Sequence, residues 1–290
     1  MPYLQTQSTL RAESLRFIGV DLAWSEENPS GVAVINSQGV VRKASASLRT
    51  NDEICQFAGL GASEEAVITI DAPLIVRNST GSRPVEQQLT QTFWPYDAAP
   101  YPANLSKSAF RENGRIQRLV RDLKEHGFIN RPTIPKQQEQ QSFLEVFPSP
   151  AQVVLFPAGN RLGHLHGRAL RYKHKRGREW LEVHSEWEIY RARLRSLGSR
   201  ESALTFSTEV AKQIGIDITE YEGTRYKHFD DLLDGIFCAY LAYYFWHQGE
   251  DACWVIGDES VGCVTLPRCP LGNCPFAEQD KVPCALLTGR

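Results

Sequence analysis

No run in this 290-residue chain is both long and apolar enough to cross a bilayer. The most hydrophobic stretch, Leu232 to Trp246, falls short of the roughly 20 residues a span requires. It also contains Asp234 and reads as a core helix. An excess of charge of one sign is missing too: Lys and Arg number 32 and Asp and Glu 34, for a formal net charge of −2. That excludes a uniformly basic nucleic-acid coat and leaves any polyanion to a local patch. The opening residues, MPYLQTQSTLRAESL, hold no apolar core of signal-peptide length and no cleavage pattern. Secretion is therefore not expected, and residues 1–15 read as a loose arm. The seven cysteines are odd in number and widely scattered, which suggests reduced thiols in a cytoplasm and makes the Asn78-Ser79-Thr80 sequon irrelevant. Cys263, Cys269, Cys274 and Cys284 gather near the end without paired C-x-x-C knuckles, so a structural zinc is not expected. His164 and His166 read as surface residues. Repeats, heptads, a Gly-rich phosphate loop, a dinucleotide fingerprint and a G-x-S-x-G elbow are all absent.

What is present is an ordinary globular composition, 42% hydrophobic and 23% charged, large enough for one sizeable domain or two modest ones. Three β-rich runs between Phe17 and Leu48 predict an antiparallel meander. A short helix capped at Asn51 or Asp52 follows, then a fourth strand, AVITID, ending on Asp71. A strand entered from a helix suggests parallel pairing with the first. Residues 75–141 read as a long insertion whose helical spacing runs through Ile116, Leu119, Val120 and Leu123 in the stretch SAFRENGRIQRLVRDLKEHG. SFLEVF predicts a fifth strand stopped by Pro148, and AQVVLFPAG a short helix or turn. Residues 159–200 are polar and basic and read as a second insertion. Helices are expected over SRESALTFSTEVAKQIG and HFDDLLDGIFCAYLAYYFWHQG, and two short strands over CWVIG and GCVTLP.

Carboxylates interrupt these apolar elements. Strand alternation puts Phe17, Gly19, Asp21 and Ala23 on one face, so that Asp21 has small neighbours. A carboxylate buried among apolar groups costs several kcal/mol unless something compensates it. The same oddity recurs at Asp71 and at Glu145. If the first strand pairs with the fourth, Asp21 and Asp71 stand about 4.8 Å apart, close enough to share a cation and to repel without one. Asp231 and Asp234 share a helical face, continued by the small residues Gly235, Cys238, Ala239 and Ala242. Asp230, about 100° away around the helix, reads as a solvated neighbour. Together Asp21, Asp71, Glu145, Asp231 and Asp234 form an all-oxygen donor set that suits Mg²⁺ or Mn²⁺ and not Zn²⁺. The chemistry this favours is phosphoryl transfer. The bland alternatives are a turn at Asp71 and helix-dipole compensation at Asp231 or Asp234.

The pieces GVDLAW, IDAPL, the stretch Gly81 to Glu86, EVFPSP, Tyr172-Lys173, DDLLDGIFCAYLA and GDESVGCVTLP, in this order between about residues 17 and 267, resemble the domain-of-unknown-function family 429. That resemblance implies an α/β fold of the ribonuclease H type: a mixed five-stranded sheet, order 3-2-1-4-5, with flanking helices. It also implies acids on the first and fourth strands and the last helix, in a nuclease-like site. Asp231 and Asp234 are similar to the helical acid pair of Holliday-junction resolvases. Gly235 departs from the pattern, which more often has alanine after the second acid, and the crowded HFDDLLD leaves open whether Asp230 or Asp231 faces the metal.

The expected organisation is an arm over residues 1–15, one domain over 16–267 with insertions at about 75–141 and 159–200, and a tail over 268–290. Arg161, Arg168, Arg171, Lys173, Lys175, Arg176 and Arg178 form a basic run without an acid. Arg111, Arg115 and Arg118 add a helical stripe, so nucleic acid could be held locally by these insertions. Both also read plainly as solvated charge. Arg83, Lys173 and Arg176 are the candidate substrate contacts, and Tyr172, Trp180 and Tyr226 could stack on bases. The expected function is a cytoplasmic Mg²⁺- or Mn²⁺-dependent nuclease, with Asp21, Asp71, Asp231 and Asp234 holding metal and Glu145 a further ligand or water-positioning base. The alternatives are a non-catalytic nucleic-acid- or nucleotide-binding module and, further off, an actin-like phosphotransferase.

Overall fold

The computed structural model describes residues 15–61, 65–156, 168–175, 177–221 and 223–268. Its sheet grows from β1 (Arg16–Asp21), whose Phe17, Ile18 and Val20 are buried on alternating faces. β1 pairs antiparallel with β2 (Ser30–Asn36), which pairs antiparallel with β3 (Val40–Leu48). This is the expected meander. α1 (Asn51–Ala58) then leads into β4 (Ala66–Asp71), parallel to β1. The cap of α1 is Thr50 rather than Asn51 or Asp52. Its hydroxyl accepts from the Glu53 amide, while the Glu53 carboxylate accepts from the Thr50 amide, which satisfies two orphan donors at once.

The chain continues through α2 (Pro84–Phe93), α3 (Arg115–Glu125), β5 (Ile129–Asn130), β6 (Gln141–Glu145), α4 (Pro148–Leu155) and α5 (Trp180–Ser196). It ends with β7 (Thr205–Phe206), α6 (Thr208–Ile214), α7 (Gly223–Gln248) and the hairpin of β8 (Cys253–Asp258) and β9 (Gly262–Pro267). The central sheet has the order β5-β6-β4-β1-β2-β3-β7, with β1/β4, β4/β6, β5/β6 and β3/β7 parallel. Seven strands thus replace the expected five. β5 and β7, each of two residues, flank the longer strands and are too short to leave a period-2 signature.

Three helical expectations change. The run from Ser199 to Gly215 is broken, because Thr205 and Ser207 donate to Gly39 O and Val41 O at 2.9 and 3.0 Å and so draw β7 onto the edge of β3. Only α6, capped by Ser207, remains helical there. α3 starts at Arg115, after Gly114, with a separate 3-10 turn over Ser108–Phe110. The basic 159–200 insertion holds α5, whose buried Val183, Trp187, Tyr190 and Leu194 recur at helical spacing amid dense charge.

Two layers cover the sheet. One face packs Ile18, Val20, Ile68 and Ile70 against Ile116, Leu119 and Leu123 of α3 and Ile54 of α1. The other receives α7, buried almost continuously from Tyr226 to Phe245. The helix lies directly on backbone: a Cβ added at Gly19 would stand 1.9 Å from Ala239 N, and one at Gly31 would stand 1.7 Å from Asp231 O. Gly235 completes this contact, since its own Cβ would lie 2.7 Å from Gly31 C. Glycine rather than alanine after the second acid is thereby accounted for. Thr69 Oγ1 donates across the seam to Cys238 O at 2.6 Å. Among the described residues no helix is long and apolar enough to cross a membrane.

Candidate functional site

Asp21 and Asp71 are direct partners in the parallel β1/β4 ladder. They end adjacent strands on the α7 face, half-buried and side by side. Among the described residues neither carboxylate takes an ion pair or a side-chain hydrogen bond. Burial raises the Asp21 carboxyl well above its ordinary range. Lys173 opposes the rise, and Asp234, Asp231 and Asp71 add to it. Burial likewise pushes Asp71 up to about 7, against Lys173 and with Asp234 and Glu145.

The close glycine seam brings the acids of α7 to the same place. Asp234, 1% exposed, receives hydrogen bonds on Oδ1 from the hydroxyls of Tyr172 at 2.5 Å and Tyr190 at 3.0 Å. Lys173 Nζ stands 2.7 Å from Asp234 Oδ2 as an ion pair, out of line for a good hydrogen bond. Asp231 Oδ1 pairs with Lys227 Nζ. Its other oxygen, and Asp230 Oδ1, have no hydrogen-bond partner. Asp230 is not the solvated neighbour the helical wheel suggests: it is 2% exposed, because α5 covers that flank of α7, with Trp187 stacked on Phe229 at 4.2 Å. Burial pushes Asp230 up to about 8, with Lys173 and Lys227 opposing.

Glu145 is placed differently. Its ladder partner is Ile70, not Asp71, so strand alternation points it to the opposite face. There Arg83 grips it through two nitrogens, Nη2 to Oε1 at 2.6 Å and Nη1 to Oε2 at 3.1 Å, and Leu74 N donates to Oε2 at 2.8 Å. Arg83 also binds Glu86 through Nε at 2.8 Å. Glu145 and Arg83, which both line the cleft over Asp21 and Asp71, are thus paired with each other. A buried, bidentate arginine between two carboxylates pins α2 to β6.

A cleft of 470 Å³ opens over the Asp21–Asp71 pair, bounded by residues 97–101 and 169–173, by Lys175 and Arg178 and by Trp24. Arg171 on its rim pairs with Asp97. Lys175 and Arg178 donate instead to neutral groups, Tyr101 OH and Lys173 O, each at 2.9 Å. Arg168 is held by Glu186. The proposed helical stripe dissolves: Arg115 is buried and donates to Ala23 O, Ser25 O and Ser30 Oγ, while Arg118 pairs with Glu26. Tyr172 and Tyr226 are buried and offer no free face for a base, and Trp180 is stacked on His174 at 3.9 Å. Arg176, Arg161, His164, His166, Cys269, Cys274, Cys284 and residues 1–14 lie outside the described residues.

Among the described residues no three His, Cys, Asp or Glu side chains are grouped as they stand to hold a metal. Asp234 is engaged by two phenols and an ammonium, whereas Asp231 gives one oxygen to Lys227 and keeps the other without a partner. What fits a cation is the unpaired Asp21–Asp71 couple. One or two carboxylates, with waters and substrate oxygens filling the remaining positions, is the usual Mg²⁺ arrangement. The anchors of Asp234 were not found from sequence, although the buried spacing of α5 could have pointed to Tyr190.

The raised carboxyls carry a pH signature. Asp21, Asp71 and Asp230 hold protons more tightly folded than unfolded, so their contribution to stability is complete below about pH 4; that of Asp71 and Asp230 is lost as pH rises through about 7 and about 8. Thermal midpoints are expected to fall between pH 5 and pH 8. Millimolar Mn²⁺ is expected to restore them more at pH 8 than at pH 5, where protons compete for the same oxygens. Melting curves across that range, unchanged by pH or by Mn²⁺, would contradict this.

A family model described as "Protein of unknown function (DUF429)" matches residues 19–260. No curated protein and no solved structure matches the chain.

Proposed function

The chain belongs to the DUF429 family, and from its cleft we propose a divalent-metal-dependent phosphodiester hydrolase acting on nucleic acid, built on a ribonuclease H-like sheet. The observation that carries this reading is the Asp21–Asp71 pair: two carboxylates in register, without cations of their own, at the floor of a cleft with a basic rim. Like charges so placed favour a shared cation. The longer strands, in the order β6-β4-β1-β2-β3, support the ribonuclease H-like part.

Asp21 and Asp71 would hold Mg²⁺ or Mn²⁺, which when bound supplies an activated water and polarises a phosphoryl oxygen. The chain's own residues do the rest. Lys175 and Arg178 receive the phosphate at the rim, with donors not committed to carboxylates. Lys173 presents its ammonium beside the acid floor, where Asp234 and Asp21 hold it well above its ordinary pKa, against burial. Asp234, fixed by Tyr172 and Tyr190, keeps that ammonium in position. The cleft volume lies within the range of small-ligand sites and suits a nucleotide or a strand end.

The test compares the parent and Asp21→Asn on single-stranded RNA, single-stranded DNA and a branched DNA, each with Mn²⁺. The parent is expected to cleave at least one of them. Loss of a supporting shell around a metal costs about 10–100-fold, so loss of Asp21 itself should cost more than about 100-fold. The same variant is expected to melt higher than the parent, because it removes a repelled, half-buried anion. Equal cleavage by both proteins would refute the assignment. Lys173, already offsetting part of the negative charge, favours a second reading, a nucleotide-binding cleft without turnover. Salt-sensitive binding with no product under any metal would select it.

A further inference from the structure

We propose that Lys173 is the built-in second cation of this site, so that the cleft takes one divalent ion rather than two. The inference rests on the metal-dependent reading above and concerns how many ions that reading needs. A two-ion site holds its metals about 3.5–4 Å apart around the reacting phosphate, and each ion needs carboxylate oxygens of its own. Here the Asp234 oxygens that would serve a second ion beside the pair are taken. Asp234 Oδ1 accepts from Tyr172 OH and Tyr190 OH, and Oδ2 lies 2.7 Å from Lys173 Nζ.

The lysine is held in place. Its neighbour Tyr172 is fixed through the side chain on Asp234 and through its carbonyl, which accepts from Trp187 Nε1 at 2.7 Å. The carbonyl of Lys173 itself accepts from Arg178 at 2.9 Å, and its ammonium lies 5.7 Å from the centroid of the Tyr172 ring. Two hydrogen-bonded carbonyls set where the chain turns, and the ion pair sets where the head points. Lys173 lines the same cleft as Asp21 and Asp71, so a phosphate drawn to a cation held by that pair would meet the ammonium nearby. A fixed positive charge there does the electrostatic part of a second metal's work on the leaving oxygen, with no water of its own to activate.

Counting bound Mn²⁺ on the full chain at neutral pH, by titration calorimetry and by loss of the free-ion paramagnetic resonance signal, tests this without any substrate. The parent is expected to bind one Mn²⁺, Lys173→Met two, and Lys173→Arg one, since the guanidinium keeps the charge. Crystals soaked in Mn²⁺ should show one anomalous peak, beside Asp21 and Asp71. Two ions in the parent would overturn the inference and leave the metal-dependent hydrolase standing, and this count needs no variant. One ion in a Lys173→Met protein that retains the parent's circular dichroism would overturn it as well. A parent chain that binds no Mn²⁺ would overturn the metal-dependent reading itself, and this inference with it.

Discussion

Gly19→Val is expected to abolish the cooperative thermal transition of the protein. Even the first added carbon, Cβ, would lie 1.9 Å from Ala239 N and 2.3 Å from Gly235 O. Both are backbone atoms of α7, and on the other side β1 is locked between β2 and β4, so neither partner has a rotamer to give. Overpacking a core where side chains can shift costs about 1–3 kcal/mol. Backbone collision removes that escape, and the cost should exceed the upper figure, against a total stability of about 5–15 kcal/mol for a typical domain. Circular dichroism melts and limited proteolysis read the result. A Gly19→Val protein melting within a few degrees of the parent would mean that α7 does not lie on β1, and Asp231 and Asp234 would then have no reason to stand near Asp21.

Asp234→Ala should be the most costly change among the cleft acids, about 2–4 kcal/mol by chemical denaturation, because a buried hydroxyl left without its acceptor costs about 1–3 kcal/mol. Tyr172 loses its acceptor, Tyr190 keeps only Leu233 O at 3.3 Å, and Lys173 loses its counter-charge in one step. Asp234→Asn should cost less, since an amide oxygen still accepts from a phenol. The sign is opposite to that expected at Asp21, where removing the charge stabilises. Urea midpoints of the two variants, shifted in opposite directions, would separate an acid that organises the site from one that awaits a ligand. A stabilising Asp234→Ala would show that the phenols and the ammonium do not depend on this carboxylate.

Much of this arrangement could be read from the chain alone, because it follows from local periodicity. Asp21 and Asp71 close apolar strands of equal length, and a helix between the strands implies parallel pairing, so their adjacency needed only the pleat. The small stripe after Asp234 announced a close helix–sheet contact, although Gly31, the residue it meets, sits in another strand and gave no signal of its own. Glu145 looked like a third member of the set because it too interrupts a strand. Its face depends on register, and a shift of one residue between Asp71 and Ile70 sends it to the other side. Its arginine comes from a turn 62 residues away, a distance over which no periodicity speaks. The same holds for Tyr190, whose helix was obscured by apolar residues at exposed positions, Trp180, Leu181 and Ile189.

The hydroxyl of Thr69 reaches across the seam to Cys238 O, so one strand side chain holds a carbonyl in the middle of the longest helix. A slide of α7 along the sheet by one turn, about 5.4 Å, would offer that hydroxyl another carbonyl but would set a residue with a Cβ where Gly235 meets Gly31, a position in which a Cβ would lie 2.7 Å from Gly31 C. The helix therefore has a single seating, and amides of β4 and of central α7 belong to one cooperative opening unit. Solvent reaches the interior of that layer only when strand and helix part together.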